Sequence, residues 1–206
     1  MKRDAHIHTP FCPHGSPDSF EQYIEKAITQ QFTHITFTEH APLPKSFVDP
    51  TPDQDSGMNE THLEKYFTTL HKLKKLYAKD ISISIGLEVD FIQGYERETT
   101  QFLNTYGREL DDAILSVHFL QLADRYTCID FSADEFLHVA KQIGSVQAVY
   151  DLYYDTLQQS IIADLGPYKP KRIGHPTLVH KFQRAHGEAI DDDAAIRKTL
   201  QLMQQH

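Results

Sequence analysis

Tryptophan is absent from the 206 residues, and cysteine occurs twice, as Cys12 and Cys128. Two thiols cannot staple a disulfide framework, and such sparing use fits a reducing compartment, so a cytoplasmic protein is expected. No apolar run approaches the ~18 residues that a membrane span needs, and no membrane partner is expected. The opening MKRDAHIHTP has a basic start but lacks the apolar stretch of a secretory signal, and none is expected. Positive charge is also in deficit: 20 Lys and Arg stand against 29 Asp and Glu, a net charge of −9. A surface of that sign repels a phosphate backbone, so no nucleic-acid partner is expected unless cations in a site reverse the field locally. With 40% hydrophobic and 24% charged residues, the chain is globular rather than disordered or fibrous.

Histidine is what the sequence has in excess, thirteen in all. The patterning alternates between strands and helices. Lys2 to His8 and Thr33 to Glu39 read as strands, and each runs into histidine. Phe20, Ile24, Ala27 and Ile28 step at helical spacing behind the capping candidates Ser16 and Asp18. Ala41 to Asn59 holds four prolines and reads as a long loop. A helix is expected from about Glu60 to Ala78, a strand over Ile81 to Phe91, and a helix over Tyr95 to Tyr106. A strand over Asp112 to Phe119 follows. Two helices, Ala133 to Gln142 and Val146 to Asp164, lead to a short strand at Lys171 to Gly174. Helical stretches at Thr177 to Arg184 and Asp191 to Gln205 close the chain. Strand–helix alternation favours a parallel sheet or barrel, and strand after strand delivers a metal-capable side chain at its C-terminal end, where such barrels do their chemistry.

His6 and His8 stand at i and i+2 of a strand, on one side, and can meet one cation. An HxH alone is a weak signal, more often two histidines on an edge strand than a ligand pair. His14 follows in a loop between two prolines, and Cys12 beside it is more often a packed thiol than a soft ligand. His40 ends the second strand. Glu88 and Asp90 form an i, i+2 carboxylate pair behind the apolar ISISIGL; two like charges on one buried face call for a cation. His118 ends an otherwise apolar strand, and His175 sits between Gly174 and Pro176. His34, His62, His71 and His138 fall at strand-start or helix-surface positions and His206 is terminal; His180 and His186 follow the last strand and could approach the site, with solvated surface the plainer reading. Nitrogen and oxygen donors without a thiolate set suit zinc, manganese or iron, and the ligands outnumber the needs of a single ion, so two or three divalent transition metals are expected. Glu88 is placed to bridge two of them, as in phosphate-ester hydrolases. Arg125, Lys181 and Arg184 are candidates for gripping phosphate, with solvated surface the plainer reading of each.

The strings HxHTxFCxHG, TEHAPLP, GLEVDFI, ILSVHF and RIGHPTLVHKFQ, in this order, resemble the PHP (polymerase and histidinol phosphatase) superfamily. GLEVDFI, YTCIDFS and RIGHPTLVHKFQ resemble its histidinol-phosphate phosphatase branch, and the likeness runs from the N-terminus to about Arg184. The resemblance implies a distorted (β/α)7 barrel of the TIM-like kind in one domain over 1–206, with three metal ions. Carried over residue by residue, His6, His8 and Glu88 would hold one ion, Glu88, His118 and His175 a second, and His14 and His40 a third. Asp90 would sit behind the ligands, and Asp90 and His118 are the candidates for catalytic proton transfer. The implied reaction is hydrolysis of the small phosphomonoester L-histidinol phosphate in histidine biosynthesis, with a hydroxide bridging the ions as nucleophile. The family closes its site with a late Asp and His in an SDAH-like string, which this sequence lacks. The expectation is therefore a barrel short of its last strand and helix, cut open at one sheet edge. Two other readings stand beside it: a PHP enzyme of different specificity, such as a nuclease, and a non-catalytic metal-binding remnant. Oligomeric state is left open.

Overall fold

The computed structural model describes residues 2–12 and 15–206, so the expected ligand His14 lies outside the described residues. The strands are β1 (Arg3–Ile7), β2 (His34–His40), β3 (Ser82–Asp90), β4 (Asp112–Ser116), a hairpin of β5 (Phe119–Gln121) and β6 (Tyr126–Cys128), and β7 (Arg172–Ile173). Five of them form one parallel sheet in the order β1-β2-β3-β4-β7. The α-helices are α1 (Phe20–Thr29), α2 (Leu63–Leu76), α3 (Glu96–Tyr106), α4 (Ala133–Ile143), α5 (Val146–Ile162), α6 (Gln183–His186) and α7 (Asp193–Gln205).

Alternation along β3 explains the layering. Ile83, Ile85, Leu87 and Val89 join the buried cluster that includes Leu63, Tyr66, Phe67, Leu70 and Leu73 of α2. Ser84, Gly86, Glu88 and Asp90 occupy the other phase, which faces the hollow of the curled sheet. The α2 residues follow i, i+3, i+4 spacing, so one stripe of the helix is buried; replacing Leu70 with Ala would cost about 2–5 kcal/mol. Ser19 caps α1 through a reciprocal pair with Gln22. The expected caps Ser16 and Asp18 instead hydrogen-bond each other. Ser132 and Ser145 cap α4 and α5, and Gly144 between them takes the left-handed conformation that ends α4.

The curled sheet is a half-barrel whose hollow is lined with polar groups. At its N-terminal rim Arg172 meets Asp112 through Nε and Nη2, at 3.0 and 2.8 Å, and Arg3 meets the same carboxylate at 3.0 Å. Midway, His34 Nε2 lies 3.0 Å from the Ser84 hydroxyl. Among the described residues β1 and β7 do not pair, yet side chains reach across the gap between them at both ends. Arg172 donates to the Ala5 carbonyl at 3.0 Å, and the His6 and His175 rings stack with centroids 5.7 Å apart.

Two elements depart from expectation. The fourth strand stops at Ser116, not Phe119, because its register with β3 ends at Asp90↔Ser116; Val117 and His118 then turn the chain into the hairpin. The stretch expected as one helix after His175 is a 3-10 turn, Leu178–Phe182, followed by the single turn of α6. Among the described residues no helix is long and apolar enough to cross a membrane.

A candidate metal centre

Register places the ligand candidates. In the β2–β3 ladder His40 lies directly beside Glu88, and in the β3–β4 ladder Asp90 lies beside Ser116. Because the strands are parallel, all of these residues arrive at the C-terminal rim together. β7 delivers His175 there through Gly174. A Cβ on Gly174 would fall 2.1 Å from the Ser116 hydroxyl, so only glycine lets this strand approach so closely. His175 itself holds a positive φ of 22°, an uncommon conformation for a non-glycine residue. Tyr153 of α5 donates to its carbonyl at 3.1 Å.

Glu88 is fully buried, and its two oxygens face different sets of imidazoles. Oε2 lies 3.0 Å from His6 Nε2, 3.2 Å from His8 Nε2 and 3.6 Å from His40 Nδ1. Oε1 lies 2.8 Å from His175 Nε2 and 3.7 Å from His118 Nε2, and it accepts the Ser116 hydroxyl at 2.6 Å. The imidazoles also meet each other: His6 and His8 Nε2 are 3.1 Å apart, and His118 and His175 Nε2 are 3.2 Å apart. Two nitrogens on one tetrahedral zinc, at bonds of about 2.0–2.1 Å, stand roughly 3.3 Å apart. The nitrogen pairs on either side of Glu88 thus match the spacing of ligand pairs.

Further observations fit a cation. Among the described residues, His40 Nδ1, 3.6 Å from Glu88 Oε2, is buried without a hydrogen-bond partner. Among the described residues three triads of donor atoms lie close enough to share an ion: His6, Glu88 and His175; His40, Asp90 and His118; and His8, Cys12 and His40. Cys12 is buried, as expected of a packed thiol, and its sulfur also joins the last triad. Electrostatics point the same way. Burial alone would raise the Glu88 carboxyl, but hydrogen bonds from His175, His6 and His8 hold it far below the ordinary range. Burial likewise opposes charge on His8 and His118. Cys12, Glu39 and Glu88 nevertheless raise His8 to about 11, and Asp90 with Glu88 raises His118 to about 10. At His40 burial wins, and its pKa falls to about 4. The pocket demands positive charge, which cations supply as well as protons do.

Asp90 accepts from His118 Nδ1 at 2.7 Å, an arrangement that turns Nε2 toward the centre. Of the cation candidates, Lys181 Nζ binds the Asp130 carbonyl and carboxylate at 2.8 and 3.0 Å, and the Asp130 charge acts on His118. Arg125 pairs with Glu135 and Gln142 of α4. Arg184 is exposed on α6. His180 and His186 pack instead against Tyr150 of α5, His186 Nε2 3.3 Å from its hydroxyl, and His180 Nε2 meets Asp192 ahead of α7 at 2.8 Å. Two hollows border the centre. One of about 290 Å³ runs along β1 past His6 and His8, with Tyr23 and Lys26 on its far wall. The other, about 650 Å³, lies between residues 42–60 and α3 and reaches Asp90.

Sequence reasoning passed over Glu39, Thr9 and Ser116. Glu39 did carry a signal. In THITFTE it continues the apolar phase of Ile35 and Phe37, so a charge stands where a hydrophobe is due. It is fully buried.

The model of the PHP domain matches residues 4–206 of this chain. The chain is 55% identical over 182 residues to the histidinol-phosphatase of Bacillus subtilis, covering 88% of this chain and 68% of that protein. A crystal structure from Listeria monocytogenes, of a protein assigned as a histidinol phosphatase, superposes with a TM-score of 0.93 at 39% identity. It covers 99% of this chain, which spans 79% of the Listeria chain. The histidinol phosphate phosphatase of Lactococcus lactis, solved with zinc, L-histidinol and phosphate, superposes with a TM-score of 0.51 at 19% identity. There the match covers 99% of this chain and 93% of the other, a likeness of fold.

Proposed function

The chain belongs to the PHP family, within its histidinol-phosphatase branch, and on that premise we propose that it hydrolyses L-histidinol phosphate to L-histidinol and inorganic phosphate. The observation that carries this reading is the divided environment of Glu88, one oxygen facing His6, His8 and His40 and the other facing His118 and His175. A carboxylate so placed is suited to join two cations a few ångströms apart. His6, His8 and Glu88 would hold one, Glu88, His118 and His175 a second, and His40 with His14 a third. The donor set suits zinc, manganese or iron. Such ions, when bound, supply the Lewis acidity that polarises a phosphoryl oxygen and a water nucleophile near neutral pH.

The protein's own groups set the stage for that chemistry. The Ser116 hydroxyl fixes the rotation of Glu88 by donating to Oε1. Asp90 fixes the ring of His118, so it acts on the reaction through that histidine. Of the phosphate candidates Lys181, Arg125 and Arg184, Lys181 is the one whose anchor, Asp130, also acts electrostatically on His118. The reading places the reaction in the cytoplasm.

The test is metal analysis of the purified chain together with phosphate release from L-histidinol phosphate and from a nucleoside monophosphate. Two or more transition-metal equivalents and faster release from histidinol phosphate are expected. Bound metal without turnover would favour the non-catalytic reading, and a chain that takes up no metal would overturn both.

A further inference from the structure

Beyond Ile7 and Phe37 the β1–β2 ladder has no further register pair, yet the candidate ligands His8 and His40 both lie past that point. One side chain spans the gap. Glu39 Oε1 lies 3.2 Å from His8 Nδ1 and accepts the backbone N–H of His40 at 2.9 Å. Glu39 Oε2 accepts the backbone N–H of Thr9 at 2.9 Å and the Thr9 hydroxyl as well. A fully buried carboxylate with this many donors around it is an acceptor only, so the proton between it and His8 belongs to Nδ1. With a cation in place of the second proton, His8 Nε2 would present its lone pair to the space between His6 Nε2 and Glu88 Oε2.

We propose that Glu39 is a positioning residue of the metal centre: it fixes His8 as the Nδ1–H tautomer and holds the ends of β1 and β2 at ligand spacing where their backbone ladder has run out. The inference rests on the metal centre proposed above, but not on its substrate. Carboxylates that orient a ligating imidazole commonly contribute 10–100-fold to metal affinity. Glu39→Gln keeps the shape but removes the charge and turns an amide N–H₂ against either His8 or Thr9, both of which are donors there.

The test uses the zinc-loaded protein with 15N-labelled histidine, His8 being assigned by its loss in His8→Gln. Long-range imidazole spectra should show His8 protonated at Nδ1 in the wild type. Zinc affinity, measured by chelator competition, should fall 10–100-fold in Glu39→Gln, and a Glu39→Asp variant should recover part of it. A His8 protonated at Nε2, or a Glu39→Gln protein that binds zinc within twofold of wild type, would overturn the inference. The wild-type spectrum decides even if the variant does not fold. Neither readout uses phosphate release, so a chain that binds zinc and hydrolyses nothing would refute the proposed reaction and leave the role of Glu39 standing.

Discussion

Arg172 of β7 donates a hydrogen bond to the carbonyl of Ala5 in β1, 167 positions earlier in the chain, while gripping Asp112 of β4 with the same guanidinium. One side chain therefore ties the two unpaired edges of the curled sheet at the rim opposite the metal centre. At the other rim the corresponding link is made by His6 and His175, each within 3.0 Å of Glu88. The candidate ligands thus face one another across the same gap that Arg172 closes below.

Arg172→Ala should lower unfolding free energy by about 1–3 kcal/mol, because Asp112 keeps Arg3 but loses its closer ion pair and the Ala5 carbonyl loses the guanidinium donor. Urea denaturation should show the midpoint falling with an unchanged slope. A stability equal to wild type would mean that the edges hold their spacing without this clamp.

Gly174→Ala should damage the centre more than any surface change. The added methyl meets the Ser116 hydroxyl, which must leave Glu88 Oε1 or push β7 outward. Loss of about 2–4 kcal/mol is expected, with metal content reduced alongside. Metal analysis of the variant at full occupancy would show that the close approach of β7 is dispensable.

Asp90→Asn should keep the fold and cut activity by about 10–100-fold, because the neutral amide no longer fixes His118 through Nδ1. The expected signature is a fall in kcat with weaker metal retention and little change in melting temperature. Unaltered kcat would remove Asp90 from the working parts of the site.

His34 offers a pH prediction away from the metal. Burial, then the charge of Arg3, lowers its pKa below the ordinary 6.5, and as a neutral ring it meets Ser84 inside the half-barrel. The unfolded chain takes up a proton at a higher pH than the folded one does. The stability this histidine contributes is therefore complete above 6.5 and is lost as pH falls below that value. Wild type should lose more stability than His34→Gln between pH 7.5 and 5.5, measured as urea midpoints. Parallel pH curves for the two proteins would show that His34 is not the group responsible.

Much of this protein is determined by the order of its residues. The i, i+2 pairs His6–His8 and Glu88–Asp90 share faces by strand geometry alone, and strand–helix alternation forces parallel strands that bring those faces to one rim. Local pattern stops short wherever the answer depends on a distant neighbour. The hairpin after His118, the approach of β7 to β1, and the burial of Glu39 between His8 and His40 depend on register and curl. These are set by packing between segments far apart in sequence, such as Gly174 against Ser116. Periodicity shows which way a side chain points; only the curl and register of the assembled sheet decide what it meets there.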